Sequence, residues 1–167
     1  RNLLQKMPPY CKQFFIGIEP TTSSRTRIAY AYDLNCFFEY LHENNPLCTK
    51  KDITEIPLSV LGNLAPMDIE EYLSYLKYYE KDGVEHTNDE RGLKRKLASL
   101  RSFYRYLYKN EMIGQDPAVK VDMPKIHEKT ITRLDIDEVV NLLDEVESGE
   151  SLTEKQQKFH EKTKKRD

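Results

Sequence analysis

Seven long cations crowd one short stretch of this 167-residue chain. Arg91, Lys94, Arg95, Lys96, Arg101, Arg105 and Lys109 fall within nineteen residues that hold no acid. Arginine forks and lysine ammonium groups grip oxyanions, phosphates above all, and arginine also matches the edge of guanine. The same stretch carries Leu93, Leu97, Leu100, Tyr104 and Leu107, which fall within about 40° of Leu93 on a helical wheel. The spacing predicts a helix that commits one face to a core and runs on to Ile113-Gly114. Its back collects Arg91, Lys94, Arg95, Ala98, Ser102, Arg105 and Lys109, long cations separated by small residues. Such a back can approach a groove closely. A solvated surface helix is the blander reading, yet such faces usually carry acids at i,i+4 for mutual support, and this one has none. The chemistry implied is contact with a polyanion, duplex DNA before others.

A second candidate lies earlier. Thr22, Ser23, Ser24, Arg25 and Thr26 put hydroxyls, free backbone N–H groups and one arginine at a helix start. That combination can seat a phosphate, although taken alone it fits ordinary N-capping better. The other reactive residue types point nowhere. His42, His86, His127 and His160 share no metal-ligand spacing with Cys11, Cys36 and Cys48, so no metal or cofactor is expected. The pairs Glu70-Glu71 and Asp89-Glu90 suit helix starts better than acid–base work. Phe103, Tyr106 and Tyr108 suit packing better than base stacking, because a duplex offers no splayed bases. No Gly-rich phosphate loop, nucleophile elbow or dinucleotide fingerprint occurs, and no small-molecule substrate is expected. The basic tail Lys155, Lys158, Lys162, Lys164, Lys165 and Arg166 fits backbone phosphates or a frayed helix end.

The elements that must position these residues read as helices. One helix spans Tyr10 to Ile18, and a long one follows the Thr21–Ser24 caps as far as Asn44-Asn45-Pro46. On the long helix Tyr30, Ala31, Leu34, Phe37, Phe38 and Leu41 share one face. Leu47 to Ala65 reads as a connection with a short helix near Leu58 to Leu61. Pro66 opens an acidic helix through Ile69, Leu73 and Leu76. Lys81 to Asp89 reads as a polar loop, and the basic helix follows it. Asp116 to Thr132 has few apolar anchors and reads as an extended linker. Leu134 to Val146 is a further amphipathic helix, stopped by Ser148-Gly149. Strand signals are scarce, and the fold class expected is all-α.

The bulk charge hides this polarity. The chain has 26 basic and 28 acidic residues. However, residues 66–90 hold eight acids against Lys77 and Lys81 alone, and the next block reverses the sign. An oriented footprint needs such a split. Three cysteines without CxxC spacing and no signal-like stretch predict reduced thiols in a cytoplasmic protein, with no membrane partner.

Three stretches, in order, resemble the tyrosine recombinases, the family of phage integrases and Xer recombinases. KRKLASLRSFYRYLYKNEMIGQDPAVKVDM, Lys94 to Met123, is similar to the closing helix and exit linker of that family's N-terminal core-binding domain. RTRIAYAYDLNCFFEYL, Arg25 to Leu41, resembles its earlier helix through Thr26, Tyr30, Asp33, Leu34 and Phe38. ITRLDIDEVVNLLDEV resembles the opening helix of the catalytic domain, where the family has Leu-Thr-x-x-Glu and this chain has Leu134-Asp135. The resemblance implies a four-helix, SAM-like core-binding bundle at residues 1–115, an interdomain linker at 116–132, and an incomplete start of the catalytic domain at 133–167. It implies a DNA clamp, with double-stranded DNA and recombinase protomers on adjacent half-sites as partners. The phosphotyrosine chemistry of the family lies on positions beyond Asp167, so no residue here is catalytic and the chain alone is expected to cut nothing. The expected DNA-binding residues are Arg25, Thr26, Arg91, Lys94, Arg95, Arg101, Ser102, Arg105 and Lys109. Thr26, Arg95, Arg101 and Ser102 among them match the family's positions. A helical adaptor whose basic helix meets an acidic protein stands as the alternative.

Overall fold

The computed structural model describes residues 3–81, 83–127, 135–148, 152–153, 156–157 and 159–160. The expected tail contacts at Lys155, Lys158, Lys162, Lys164, Lys165 and Arg166 lie outside the described residues, as do 128–132 of the expected linker. The chain divides after residue 127 into two compact units. The first holds α1 (Pro9–Gly17), α2 (Ser24–Asn44), α3 (Leu58–Asn63), α4 (Pro66–Tyr75) and α5 (Glu90–Lys109), with a hairpin of β1 (Tyr78–Lys81) and β2 (Val84–Thr87). The second holds α6 (Ile136–Ser148). The fold is helical, as the periodicity requires, apart from that small sheet. No described helix is long and apolar enough to cross a membrane.

Local chemistry sets each boundary. Pro9 opens α1, where the N–H that proline lacks would go unbonded in any case. Ser23 caps α2 by accepting from the Thr26 N–H at 3.1 Å. Pro66 opens α4, and Asp68 reaches back to accept from the Ala65 N–H at 2.6 Å. Asp89 caps α5 by accepting from the Gly92 N–H at 2.8 Å. α5 ends at Lys109, short of the expected Ile113-Gly114. The Glu111 N–H returns to the Tyr108 carbonyl and the Met112 N–H to the Leu107 carbonyl. This closure puts Glu111 at φ 56°, in the left-handed region where glycine is usual.

The core is aromatic. Phe14, Phe37, Phe38, Tyr72, Phe103 and Tyr104 are fully buried, and each such side chain contributes roughly 2 kcal/mol of transfer free energy. Phe14 meets Phe103 edge-on at 5.2 Å between centroids, which locks α1 onto α5. Tyr10 and Tyr104 spend their hydroxyls on the carbonyls of Ile56 and Leu61, tying in the connection before α4.

Two stretches differ from their sequence reading. The expected polar loop is a hairpin, with Tyr78 facing Thr87 and Lys81 facing Val84. Gly83 takes φ 73° there, the geometry a tight two-residue turn demands. Tyr79 stacks on both Tyr75 and His86, anchoring the hairpin to α4. The second difference is in the expected linker, whose first part is not extended and free. Pro117–Lys120 forms a 3₁₀ turn. Pro117, Ala118 and Val121 are buried, packed on α4 and α5. Three small anchors in close succession suffice for docking, although they form no helical stripe.

Candidate nucleic-acid interface

α5 buries more of itself than its leucines suggest. Leu93, Leu97, Leu100, Tyr104 and Leu107 are joined in the interior by Lys96, Ser99 and Phe103. The remaining arc is about 200° wide, and Arg91, Lys94, Ala98, Ser102, Arg105 and Lys109 occupy its middle. Their spacing of 3, 4, 4, 3 and 4 residues keeps them within about 80° of arc, a straight stripe along the helix. Arg91, Arg105 and Lys109 are exposed, while Lys94, Ala98 and Ser102 are half-buried. Small Ala98 and Ser102 leave the middle of the stripe low. Among the described residues, none of its four cations pairs with an acid.

The cations on the two flanks are engaged inside the protein. On one side Arg95 Nη1 donates to Asp33 Oδ2 of α2. Lys96 Nζ lies 3.5 Å from the other oxygen of the same carboxylate. The Asp33 side chain is 1% exposed, Lys96 10% and Arg95 48%, so a buried acid fastens α2 to α5 through two bases. On the other side Arg101 Nε donates to the Ala118 carbonyl at 3.0 Å, and its Nη2 donates to the Val121 carbonyl. Arg101 thus holds down the chain that leaves the first unit.

The expected site residues therefore fall into three groups. Arg91, Lys94, Ser102, Arg105 and Lys109 lie on the stripe. Arg95 and Arg101 flank it with protein partners. Arg25 and Thr26 lie apart, at the start of α2. There Arg25 is exposed, and the Thr26 amide and hydroxyl are both engaged with Ser23. That bonding is N-capping. Phe103 packs in the core and Tyr106 lies 5.6 Å from Phe14, whereas Tyr108 is 54% exposed.

Asp33 and Lys96 were not picked out as a pair in the sequence. The readable signal was a lone acid among Tyr30, Leu34 and Phe37 on an apolar face, which requires a basic partner. Glu90 was missed as well. Its carboxylate accepts from the His127 backbone N–H at 2.6 Å and also meets that residue's Nδ1. These two bonds, the backbone one first, hold the Glu90 carboxyl below its ordinary range. Acids gather elsewhere, around α4 and the hairpin. Tyr75 is pushed up to about 12 there, first by burial and then by Glu43, Cys36 and Glu39. Among the described residues no cluster of three or more His, Cys, Asp or Glu side chains is placed to hold a metal.

In α6, Asp135 and Glu138 form a reciprocal cap. The Glu138 N–H donates to Asp135 Oδ1 at 2.9 Å, and the Asp135 N–H donates to Glu138 Oε2 at 3.0 Å. Aspartate thus serves here as the N-cap, as serine or threonine does in an ordinary capping box.

Residues 12–111 match the family described as phage integrase, N-terminal SAM-like domain. A tyrosine recombinase XerC of Leptospira interrogans is 29% identical over 141 residues, covering 84% of this chain and 39% of its own. XerC of Syntrophus aciditrophicus is 31% identical over 139 residues, 82% of this chain and 41% of its own. XerD of Staphylococcus epidermidis is 28% identical over 130 residues, 78% and 38% respectively. The chain therefore spans about two fifths of the length of these curated relatives. No solved structure matches it significantly.

Proposed function

The chain belongs to the phage integrase N-terminal SAM-like domain family, and from that premise we propose that it is the DNA-binding part of a tyrosine-type site-specific recombinase. In this reading residues 1–115 form the core-binding body, 116–132 connect it onward, and 133–167 begin the catalytic domain. The body lies on duplex DNA at a recombination half-site, with further protomers on adjacent half-sites. No residue of the chain is given a catalytic role.

One observation carries the reading: the four stripe cations are the ones α5 leaves unpaired. Cations that hold the fold together are satisfied internally, by Asp33 or by backbone carbonyls. Arg91, Lys94, Arg105 and Lys109 have no such duty. Unneutralised like charges along one helix face repel one another, and a phosphate backbone removes that repulsion while releasing counterions. Ser102 supplies a hydroxyl for a phosphate or a base edge. Arg95 and Arg101 fix the helix between its neighbours, and their outer edges border the same surface. Arg25, at the start of α2, gives a second phosphate contact beside Thr26.

The test is anisotropy of a labelled duplex of about thirty base pairs, titrated with the chain at several salt concentrations. The four stripe contacts predict a slope of log K against log salt near −3.6, at about −0.9 per phosphate, and Arg25 brings it to about −4.5. Lys94→Ala with Arg105→Ala should flatten it by about 1.8 and leave the melting curve in place. No binding at low salt would remove the DNA reading in favour of an acidic protein partner.

A further inference from the structure

We infer that the exit segment 116–127 is itself part of the DNA-binding surface, carrying Lys120 and Lys125 beside the α5 stripe. This rests on the DNA reading above and adds two residues that neither the charge run nor the helical wheel contains.

The segment is tied to α5 at two levels. Arg101 grips the carbonyls of Ala118 and Val121, and Glu90 grips both the backbone N–H and the ring of His127. From Glu90 to Arg101 α5 rises about 16 Å, at 1.5 Å per residue. The six steps from Val121 to His127 span at most about 20 Å when fully extended. The order of the two ties sets the chain antiparallel to the helix, and the modest slack favours an extended course. Pro124 favours that, because it holds Met123 in an extended conformation. Val121 is buried and Met123 and Pro124 are half-buried, so the first half of the strap lies against the protein.

Lys120 and Lys125 are both exposed on this strap. Lys120 adjoins Val121, at the level of Arg101. Lys125 is two extended residues, about 7 Å, from His127, which puts it near the level of Lys94 rather than of Glu90. The wheel places Arg101 only about 20° from Lys94 and about 40° from Arg105, so the strap runs beside the stripe. The acids of this region are largely occupied. Asp116 accepts from the Val119 N–H, Glu90 is bound to His127, and Asp122 is the exposed one. Asp122 therefore opposes a polyanion here. Arg101 acts as a positioning residue, because without it the Lys120 end of the strap is no longer held along α5.

The same anisotropy titration decides the matter. Lys120→Ala with Lys125→Ala should flatten the salt slope by about 1.8, as two lost phosphate contacts require, with an unchanged melting curve. Asp122→Asn should tighten binding at low salt. Arg101→Gln should weaken binding in the parent chain and have little further effect once both lysines are gone. An unchanged slope in the lysine pair, while Lys94→Ala with Arg105→Ala still flattens it, overturns the strap and leaves the stripe standing. Loss of salt-dependent binding in the unmodified chain overturns both.

Discussion

Replacing Asp33 with asparagine should cost the first unit about 3 kcal/mol of stability. The carboxylate is 1% exposed and faces two cations, one of them the 10%-exposed Lys96. Removing one partner of a buried ion pair costs about 3–5 kcal/mol, because the other charge stays behind without compensation. The lower end applies here, since Arg95 is 48% exposed and can turn to water. Lys96 has no such route. With a urea m-value of about 2 kcal/mol/M, the midpoint by far-UV circular dichroism should fall by about 1.5 M. A compensating variant separates charge burial from lost packing. Asp33→Leu with Lys96→Met replaces the buried pair by apolar side chains and should recover most of the loss. A midpoint shift under about 0.5 M for Asp33→Asn would show that solvent screens this pair and that α2 and α5 are held by their aromatic contacts alone. A double variant no better than the single one would refute the buried-charge argument.

Other perturbations test the rest of the frame. Glu111→Gly should stabilise the chain by about 1 kcal/mol, read as a rise in melting temperature, because glycine removes the cost of a left-handed φ. Gly17→Ala should destabilise it by about 1–2 kcal/mol, since the new Cβ would lie 2.3 Å from Tyr106 Cε2. A double-mutant cycle with Tyr106→Ala should assign most of that loss to this one contact. The clip between Glu90 and His127 should open in acid. A carboxyl held below its ordinary 4.5 in the folded state contributes stability above that value and loses it as pH falls through the lowered one. The NMR shift of the His127 amide should therefore titrate below pH 4.5, and Glu90→Gln should abolish the step.

The helices were legible in the sequence because their signals are local. Ser23 and Asp89 announce α2 and α5, and the apolar positions of both helices recur at helical spacing. The hairpin was not, although Asp82-Gly83 is a common hairpin dipeptide. Charged and polar residues at Glu80, Lys81, Glu85 and His86 masked the alternation that marks a strand. Its anchor is a stack of Tyr75, Tyr79 and His86, contacts between elements that no single window contains. The strap escaped for the same reason: Ala118 and Val121 gain their meaning from Arg101, 17 and 20 residues earlier.

The stripe shows what a charge count on one helix leaves out. All seven cations of the run look equivalent in the sequence, yet the fold divides them by angle around α5. Lys96 points into the core and meets Asp33, Arg95 meets it from the rim, and Arg101 turns to the strap. The four that remain are those about 100–160° from Leu93, and among the described residues they form no ion pair. A substitution at Arg95 or Arg101 therefore tests the frame before it tests the partner, and weakened binding in either variant needs a melting curve beside it. Among the described residues Lys94 and Arg105 form no ion pair. Changes there disturb the frame least, which makes them the pair on which the DNA reading stands or falls.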